Sequence, residues 1–226
     1  MSTVDDKKQR AAEHAVSLID NKMKVGLGTG STAKFAVEAL GKRVREGLKV
    51  HGVPTSEATR KLAVEQGIPV LSFDDVERLD LCFDGADEAD GNLNLTKGGG
   101  GALLREKVVA YASDRFYCIV DDGKLVDKLH AFPLPIEVVP FAVKVVERSL
   151  LRLGLTPTLR QREGKTFVTD NGLWILDCKS APIEDPPRLA AALSALPGVA
   201  EHGLFCGMVH TLIVGGDDGV RTITAT

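Results

Sequence analysis

Met23-Lys24-Val25-Gly26-Leu27-Gly28-Thr29-Gly30-Ser31-Thr32 is the stretch from which the fold is read. A short apolar run enters spaced glycines, and two hydroxyl residues follow ahead of a helical pattern. That is the signature of a strand, a tight turn and a helix. Ser31 or Thr32 is suited to cap the helix, which is expected to run to about Glu46. Glycines let the backbone approach a ligand closely. N–H groups at a helix start, with the Ser and Thr hydroxyls, are suited to hold a phosphate. The plainer reading is a tight turn alone, but the glycines together with Thr29, Ser31 and Thr32 exceed what a turn requires. Two better-known loops are excluded. A dinucleotide fingerprint needs G-x-G-x-x-G, and Ser31 stands where the third glycine belongs. A Walker A loop needs Gly-Lys-Ser/Thr, and that tripeptide is absent.

Working outward, residues 5–21 carry Ala11, Ala12, Ala15, Val16 and Ile19 at helical spacing. Leu48–Val53 reads as a second strand, and Ser56 starts a helix that ends at Gly67. Strands are expected at Ile68–Phe73, Leu79–Phe83 and Arg115–Val120, with a helix over Ala102–Ser113. This alternation predicts an α/β fold: a mostly parallel, Rossmann-like sheet with helices on both faces. Ligands then bind at the carboxyl ends of the strands. The pattern changes after about Pro133. Strand Leu134–Val139, helix Phe141–Gly154, a hairpin of 157–162 and 165–169 through Glu163-Gly164, a hairpin turn at Asn171-Gly172 leading into strand Leu173–Cys178, helix 187–196 and strand 199–205 follow. That order resembles a smaller ferredoxin-like α+β domain. Thr211–Val214 and Thr222–Ala225 read as late strands returning to the first domain. The expected domains are 1–131 with 206–226, and 132–205.

Composition bounds the rest. The 226 residues are 44% hydrophobic and 26% charged, enough to build a sizeable core. Twenty-eight basic against 31 acidic residues leave a net charge of −3, too balanced for nucleic acid or an anionic membrane as the main partner. No apolar run approaches the ~18 residues of a membrane span. The polar start, Met1-Ser2-Thr3-Val4-Asp5-Asp6, lacks a signal peptide's apolar core, so a cytoplasmic location is expected. Cys82, Cys118, Cys178 and Cys206 are far apart, make no C-x-x-C and have apolar neighbours; reduced, packed thiols are expected. The five histidines show no metal-ligand spacing, and no Gly-x-Ser-x-Gly elbow is present.

Three further stretches carry chemistry. Asp84-Gly85-Ala86-Asp87-Glu88-Ala89-Asp90 follows a strand. Its spacing does not match an EF-hand loop. Either it is a solvated acidic turn, or Asp84 and Asp87, nearest the strand end, do proton or binding work. Lys97-Gly98-Gly99-Gly100-Gly101 is costly to order. It leads directly into Ala102–Ala112, which is apolar almost all round and expected to be buried. Of Arg105, Glu106 and Lys107 on that helix, only Glu106 accepts a proton at neutral pH, which suits a general base; a salt-bridged surface turn is the plainer alternative. Lys124 follows the strand ending at Val120 and shares its edge, unless it is simply a surface lysine.

Read together and in register, Gly28-Thr29-Gly30-Ser31-Thr32, Asp84-Gly85-Ala86-Asp87-Glu88 and Lys97 through Lys107 resemble the signature of the ribose-5-phosphate isomerase A family. Phe132-Pro133-Leu134-Pro135-Ile136-Glu137-Val138-Val139-Pro140 and Asp170-Asn171-Gly172 match as well. The resemblance spans nearly the whole chain. It implies interconversion of D-ribose 5-phosphate and D-ribulose 5-phosphate through an enediol(ate), in the non-oxidative pentose phosphate pathway. It implies no cofactor and no metal, and a homodimer or homotetramer. It implies that Glu106 moves the proton between C2 and C1, and that Lys97 with the backbone of Gly98, Gly99 and Gly100 stabilises the oxyanion. Asp84, Gly85, Ala86 and Asp87 would bind the sugar, one Asp assisting ring opening. Thr29, Gly30, Ser31, Thr32 and Lys124 would bind substrate, the phosphate lying near the first loop. Two other classes share parts of this pattern. A coenzyme A transferase of related fold would use its glutamate as a nucleophile. A non-catalytic sugar-phosphate sensor would need a DNA-binding domain and no pairing of Lys97 with Glu106.

Overall fold

The computed structural model describes residues 2–225. In chain order its first elements are α1 (Val4–Ser17), β1 (Lys24–Leu27), α2 (Ser31–Arg45), β2 (His51–Pro54), α3 (Glu57–Glu65) and β3 (Leu81–Asp84). Then come β4 (Glu88–Ala89), β5 (Leu95–Thr96), α4 (Leu103–Tyr111), β6 (Phe116–Asp121), β7 (Leu134–Val138), α5 (Val143–Arg152) and β8 (Thr156–Leu159). The last are β9 (Gln161–Arg162), β10 (Lys165–Thr166), β11 (Trp174–Lys179), α6 (Pro186–Ser194), β12 (Val199–His202), β13 (Leu204–Phe205), β14 (Thr211–Gly216) and β15 (Gly219–Thr224).

The chain divides into two units. One holds residues through Ala86, Arg105–Lys124 and residues from Met208 on; the other holds Asp87–Leu104 and Leu125–Gly207. The expected division assigned 87–104 and 125–131 to the α/β part. Their pairing instead lies in the second unit. β5 pairs with β13, Ala89 bridges to Leu125, and the Glu88 carboxylate accepts the N–H groups of Ala131 and Phe132 at 2.8 and 3.1 Å. These partners are remote in sequence, and spacing does not announce them.

The first unit is built on a six-stranded sheet of order β15-β14-β6-β3-β1-β2. All neighbours are parallel except β15, which returns antiparallel beside β14. Successive side chains on a strand face opposite sides. Val25, Leu27, Leu81, Phe83, Tyr117, Ile119 and Ile213 form one face and pack with Ala11, Ala15 and Val16 of α1 and Ala36, Val37 and Leu40 of α2. The other face carries Gly26, Cys82, Asp84 and Cys118. The strand expected at Ile68–Phe73 reduces to a single bridge, Gly52 to Val70. Pro69 has no N–H to extend a ladder there.

The second unit contains a four-stranded antiparallel sheet of order β12-β7-β11-β8. With α5 and α6 this is the β-α-β-β-α-β sandwich expected from the element order. Leu134, Ile136, Val138, Leu176 and Cys178 face Val143, Val146, Leu150 and Leu193 of the two helices. Pro135, Glu137, Ile175 and Asp177 therefore occupy the helix-free face. Glu163 and Gly164, at φ 53° and 75°, turn β9 into β10 as expected. Asn171-Gly172 also turns, with the Gly172 N–H donating to Thr169 O at 3.0 Å. It closes no ladder with β10, because β11 pairs with β7 and β8.

Candidate active site

In the first unit the chain runs from β1 to β2 on one side and then to β3 on the other. Such a reversal is the point where open α/β sheets bind ligands, outside the strands' carboxyl ends. Gly28-Thr29-Gly30 follows β1 there, Thr55-Ser56 follows β2, and Asp84 closes β3. Buried Asp84 accepts, on Oδ1, the N–H groups of Thr29 at 3.0 Å and Gly85 at 2.8 Å. A Cβ on Gly28 would lie 2.3 Å from that same Oδ1, so only glycine lets the loop close on the carboxylate.

Thr29 was expected to touch substrate, yet its hydroxyl is engaged internally. Oγ1 lies 2.7 Å from Thr55 Oγ1, 2.8 Å from Ser56 Oγ and 3.0 Å from Thr59 Oγ1. Thr59 Oγ1 in turn donates to the Gly28 carbonyl at 2.9 Å. Thr55, Ser56 and Thr59 thus brace the first loop. In the sequence this role is hidden, because hydroxyl residues at a strand end are also ordinary helix-capping signals. Ser56 is in fact the N-cap of α3.

The cap of α2 is Gly30, at φ 109°, and not Ser31 or Thr32. No side chain caps this end and no acid stands in its first turn. Its leading N–H groups are open to an anion. Exposed Ser31 and buried Thr32 begin the helix, and Thr32 lies beside Gly85. Lys124, half-buried, ends a 3-10 turn (Asp122–Lys124) that follows β6. It shares the sheet edge with the β1 and β3 ends, because these strands are parallel.

Glu106 is placed by the direction of α4. The Leu79 N–H, just before β3, donates to Ala112 O at 2.9 Å. Val109, nearly one turn earlier in α4, packs where a Cβ on Gly26 would be, next to Cys82. The helix therefore runs antiparallel to β3, and Glu106, three residues earlier again, stands about 4.5 Å further along its axis, level with the carboxyl end. Asp84 shares a face with Cys82, the face on which α4 lies. The two carboxylates thus share one edge and one side of the sheet. Glu106 is 4% exposed, but the helix is not buried all round: Val108 is 45% and Tyr111 81% exposed. Leu103, Glu106, Val109 and Ala110 make its buried stripe.

The second unit holds the other expected residues. Asp87 Oδ2 accepts the Gly99 N–H at 2.8 Å. Lys97 is 2% exposed; its N–H donates to Gly203 O at 2.8 Å, and its ammonium stands 5.3 Å from the centre of the Phe205 ring. Gly98 is buried, and Gly99 and Gly100 are exposed. Phe205, and Arg160 on the carbonyls of Gly98 and Gly99, were missed by sequence reasoning. Both are remote in sequence and fall in no motif. Asp90, the last acid of its stretch, is a turn former that accepts the N–H groups of Asn92 and Asn94. Among the described residues no group of three or more His, Cys, Asp or Glu is arranged as metal ligands, and no helix is long and apolar enough to cross a membrane.

A helix N-terminus without a side-chain cap and two buried carboxylates at a switch point of a mostly parallel sheet are the arrangement of an α/β enzyme with room for a charged small molecule at the strand ends. The comparisons with known proteins give the particular family. Residues 51–219 match the model of the ribose 5-phosphate isomerase A (phosphoriboisomerase A) family, and the chain belongs to it. It is 54% identical over 226 residues to ribose-5-phosphate isomerase A of Rhodopseudomonas palustris (strain TIE-1), covering 97% of both chains. It is 51% identical over 231 residues to that of Bradyrhizobium diazoefficiens, covering 97% of this chain and 96% of the relative. Among solved structures, it is similar to a D-ribose-5-phosphate isomerase in complex with phospho-erythronic acid, with TM-score 0.96, 40% identity, and coverage of 99% of this chain and 100% of that one. Ribose 5-phosphate isomerase A from Neisseria gonorrhoeae gives TM-score 0.93 and 40% identity, covering 100% of this chain and 99% of that one.

Proposed function

We propose that this chain interconverts D-ribose 5-phosphate and D-ribulose 5-phosphate in the cytoplasm, within the non-oxidative pentose phosphate pathway. Family membership supports the reaction. The observation that carries the residue roles is the placement of Glu106 beside the carboxyl end of β3, on the face that Asp84 occupies. In the open-chain aldose, the Glu106 carboxylate takes the C2 proton. The C–H electron pair forms the C1–C2 double bond, and the carbonyl pair moves onto O1. Returning the proton to C1, while O2 loses its proton and O1 gains one, completes the ketose.

Lys97 and the backbone of Gly98, Gly99 and Gly100 stabilise the oxyanion; donors of this kind are worth about 2.7–4 kcal/mol each. Asp84, Gly85, Ala86 and Asp87 hold the sugar, with one Asp assisting ring opening. Gly30, Ser31 and Thr32 at the α2 N-terminus, with Lys124, anchor the phosphate, and Thr29 supports that loop. Binding energy at the phosphate orients C1 and C2 for reaction. The same family resemblance supports a homodimer or homotetramer, and the almost fully exposed Phe141 is a surface that self-association would cover.

The test is ketose formation from ribose 5-phosphate, with Glu106→Gln beside the wild type. The variant keeps size and polarity but cannot take the proton, so kcat should fall at least about 10²-fold. Exchange of the C2 hydrogen with deuterated water should stop. Exchange at the wild-type rate would assign the base elsewhere, to Asp84 or Asp87 first.

A further inference from the structure

Four consecutive glycines should be loose, because glycine loses the most backbone entropy on ordering. Within the second unit this run is held from several directions. Arg160 follows β8, and its guanidinium is divided between two tasks. Nε and Nη2 donate to Asp177 Oδ2 and Oδ1 at 2.8 and 2.5 Å, a side-on fork that sets the plane of the group. Nη1 donates to the carbonyls of Gly98 at 3.0 Å and Gly99 at 3.1 Å. Asp177 belongs to the helix-free face of the four-stranded sheet. Pro135, on the same face, lies 3.2 Å from where a Cβ on Gly98 would be. Phe167 covers Gly101, whose added Cβ would stand 2.5 Å from the ring at φ 87°.

The consequence follows from peptide geometry. In a trans peptide the C=O and N–H point in opposite directions. The Gly98–Gly99 peptide is gripped at both ends, its oxygen by Arg160 and its N–H by Asp87. The Gly99–Gly100 peptide is gripped only at its oxygen. Its N–H, that of Gly100, therefore points away from Arg160. Gly100 is exposed, and among the described residues no acceptor takes that N–H.

We infer that Arg160, set in place by Asp177, is a positioning residue that aims the Gly100 N–H as a fixed donor toward the substrate oxygen bearing the developing negative charge. This rests on the reading of the glycine backbone as the oxyanion stabiliser. Arg160 is not itself a substrate ligand. Four of its five N–H bonds are spent on Asp177 and the two carbonyls, and Asp177 neutralises its charge. A lysine would supply one nitrogen and no fork.

The experiment compares wild type, Arg160→Lys, Arg160→Ala and Asp177→Asn by steady-state kinetics, thermal melting, and binding of phospho-erythronic acid and of inorganic phosphate. An interaction made only in the transition state appears in kcat and leaves KM little changed. Misplacing a donor costs on the order of 10²-fold. We expect kcat to fall about 10²-fold in Arg160→Ala and about 10-fold in Asp177→Asn, with Arg160→Lys between wild type and Ala. KM should stay within about threefold. Binding of phospho-erythronic acid, whose carboxylate offers an anionic oxygen, should weaken in step with kcat, and inorganic phosphate binding should not change. A rise in KM at unchanged kcat would make Arg160 a ground-state binding residue and overturn the inference. Lower melting temperatures with wild-type kcat would make the contact purely structural, with the same result. If Arg160→Ala fails to fold, Arg160→Lys and Asp177→Asn decide by the same criteria. A wild type without ribose 5-phosphate isomerisation would instead defeat the functional reading itself.

Discussion

At Gly28 a single methyl group decides whether Asp84 keeps its place. The glycine is legible in the sequence as a point of close backbone approach. The sequence suggested a ligand as the thing approached; the structure adds Asp84, whose carboxyl carbon would stand 2.5 Å from an added Cβ. Gly28→Ala should force the carboxylate off the Thr29 and Gly85 amides. We expect a loss of about 1–3 kcal/mol in stability, typical of overpacking, and at least a tenfold fall in kcat/KM. Urea unfolding and initial rates measure the two. Wild-type values for both would show that the loop relaxes without cost. Asp84→Asn makes the complementary case. An amide oxygen still accepts both N–H groups, so the melting temperature should hold, and the lost charge should appear in kcat/KM alone.

Among the elements, α3 illustrates a cap with two duties. Ser56 Oγ accepts the Thr59 N–H at 3.1 Å and stands 2.8 Å from the Thr29 hydroxyl. Ser56→Ala should cost about 0.5–2 kcal/mol, the usual loss for an N-cap, read by chemical denaturation. No loss would mean that Thr55 and Thr59 satisfy the freed groups. Both ends of α3 were readable, from Ser56 and from Gly67 at φ 76°. The environment of α4 was less so. Its composition suggested burial on all sides, yet Val108 and Tyr111 face out. Composition reports how apolar a helix is, and packing decides which stripe is covered. The proposed base is unaffected by the difference, because Glu106 lies on the covered stripe with Leu103 and Val109.

Across the whole molecule, the four cysteines show how burial governs chemistry. Cys82, Cys118 and Cys178 are buried and Cys206 is half-buried. Burial first, and the Asp177 charge second, push the Cys178 thiol up to about 12. A thiol raised in the folded state favours folding below its ordinary value near 9, and that contribution is lost as pH rises from about 9 toward 12. Titration of native protein with a disulfide reagent at pH 8 should therefore modify Cys206 first and leave Cys178 unreacted. Denatured, unreduced protein should give four thiols, and finding two would establish a disulfide. The reaction should also survive exhaustive chelation. Loss of activity restored by one divalent ion would refute the expectation, drawn from the sequence, that no metal takes part.

Local pattern was enough to determine the alternation of strands and helices, the glycine-rich first loop, the ferredoxin-like element order and the short motifs that align with one family. Each of these is written in residues a few positions apart, where backbone preference and side-chain period act directly. Tertiary structure alone decided that Thr29 turns its hydroxyl inward to three others, that residues 87–104 belong with the second unit, and that Arg160 and Asp177 hold the glycine run. The physical reason is common to all three. A hydrogen bond between groups far apart in sequence requires only that the fold bring donor and acceptor to about 3 Å, and no local period records that meeting.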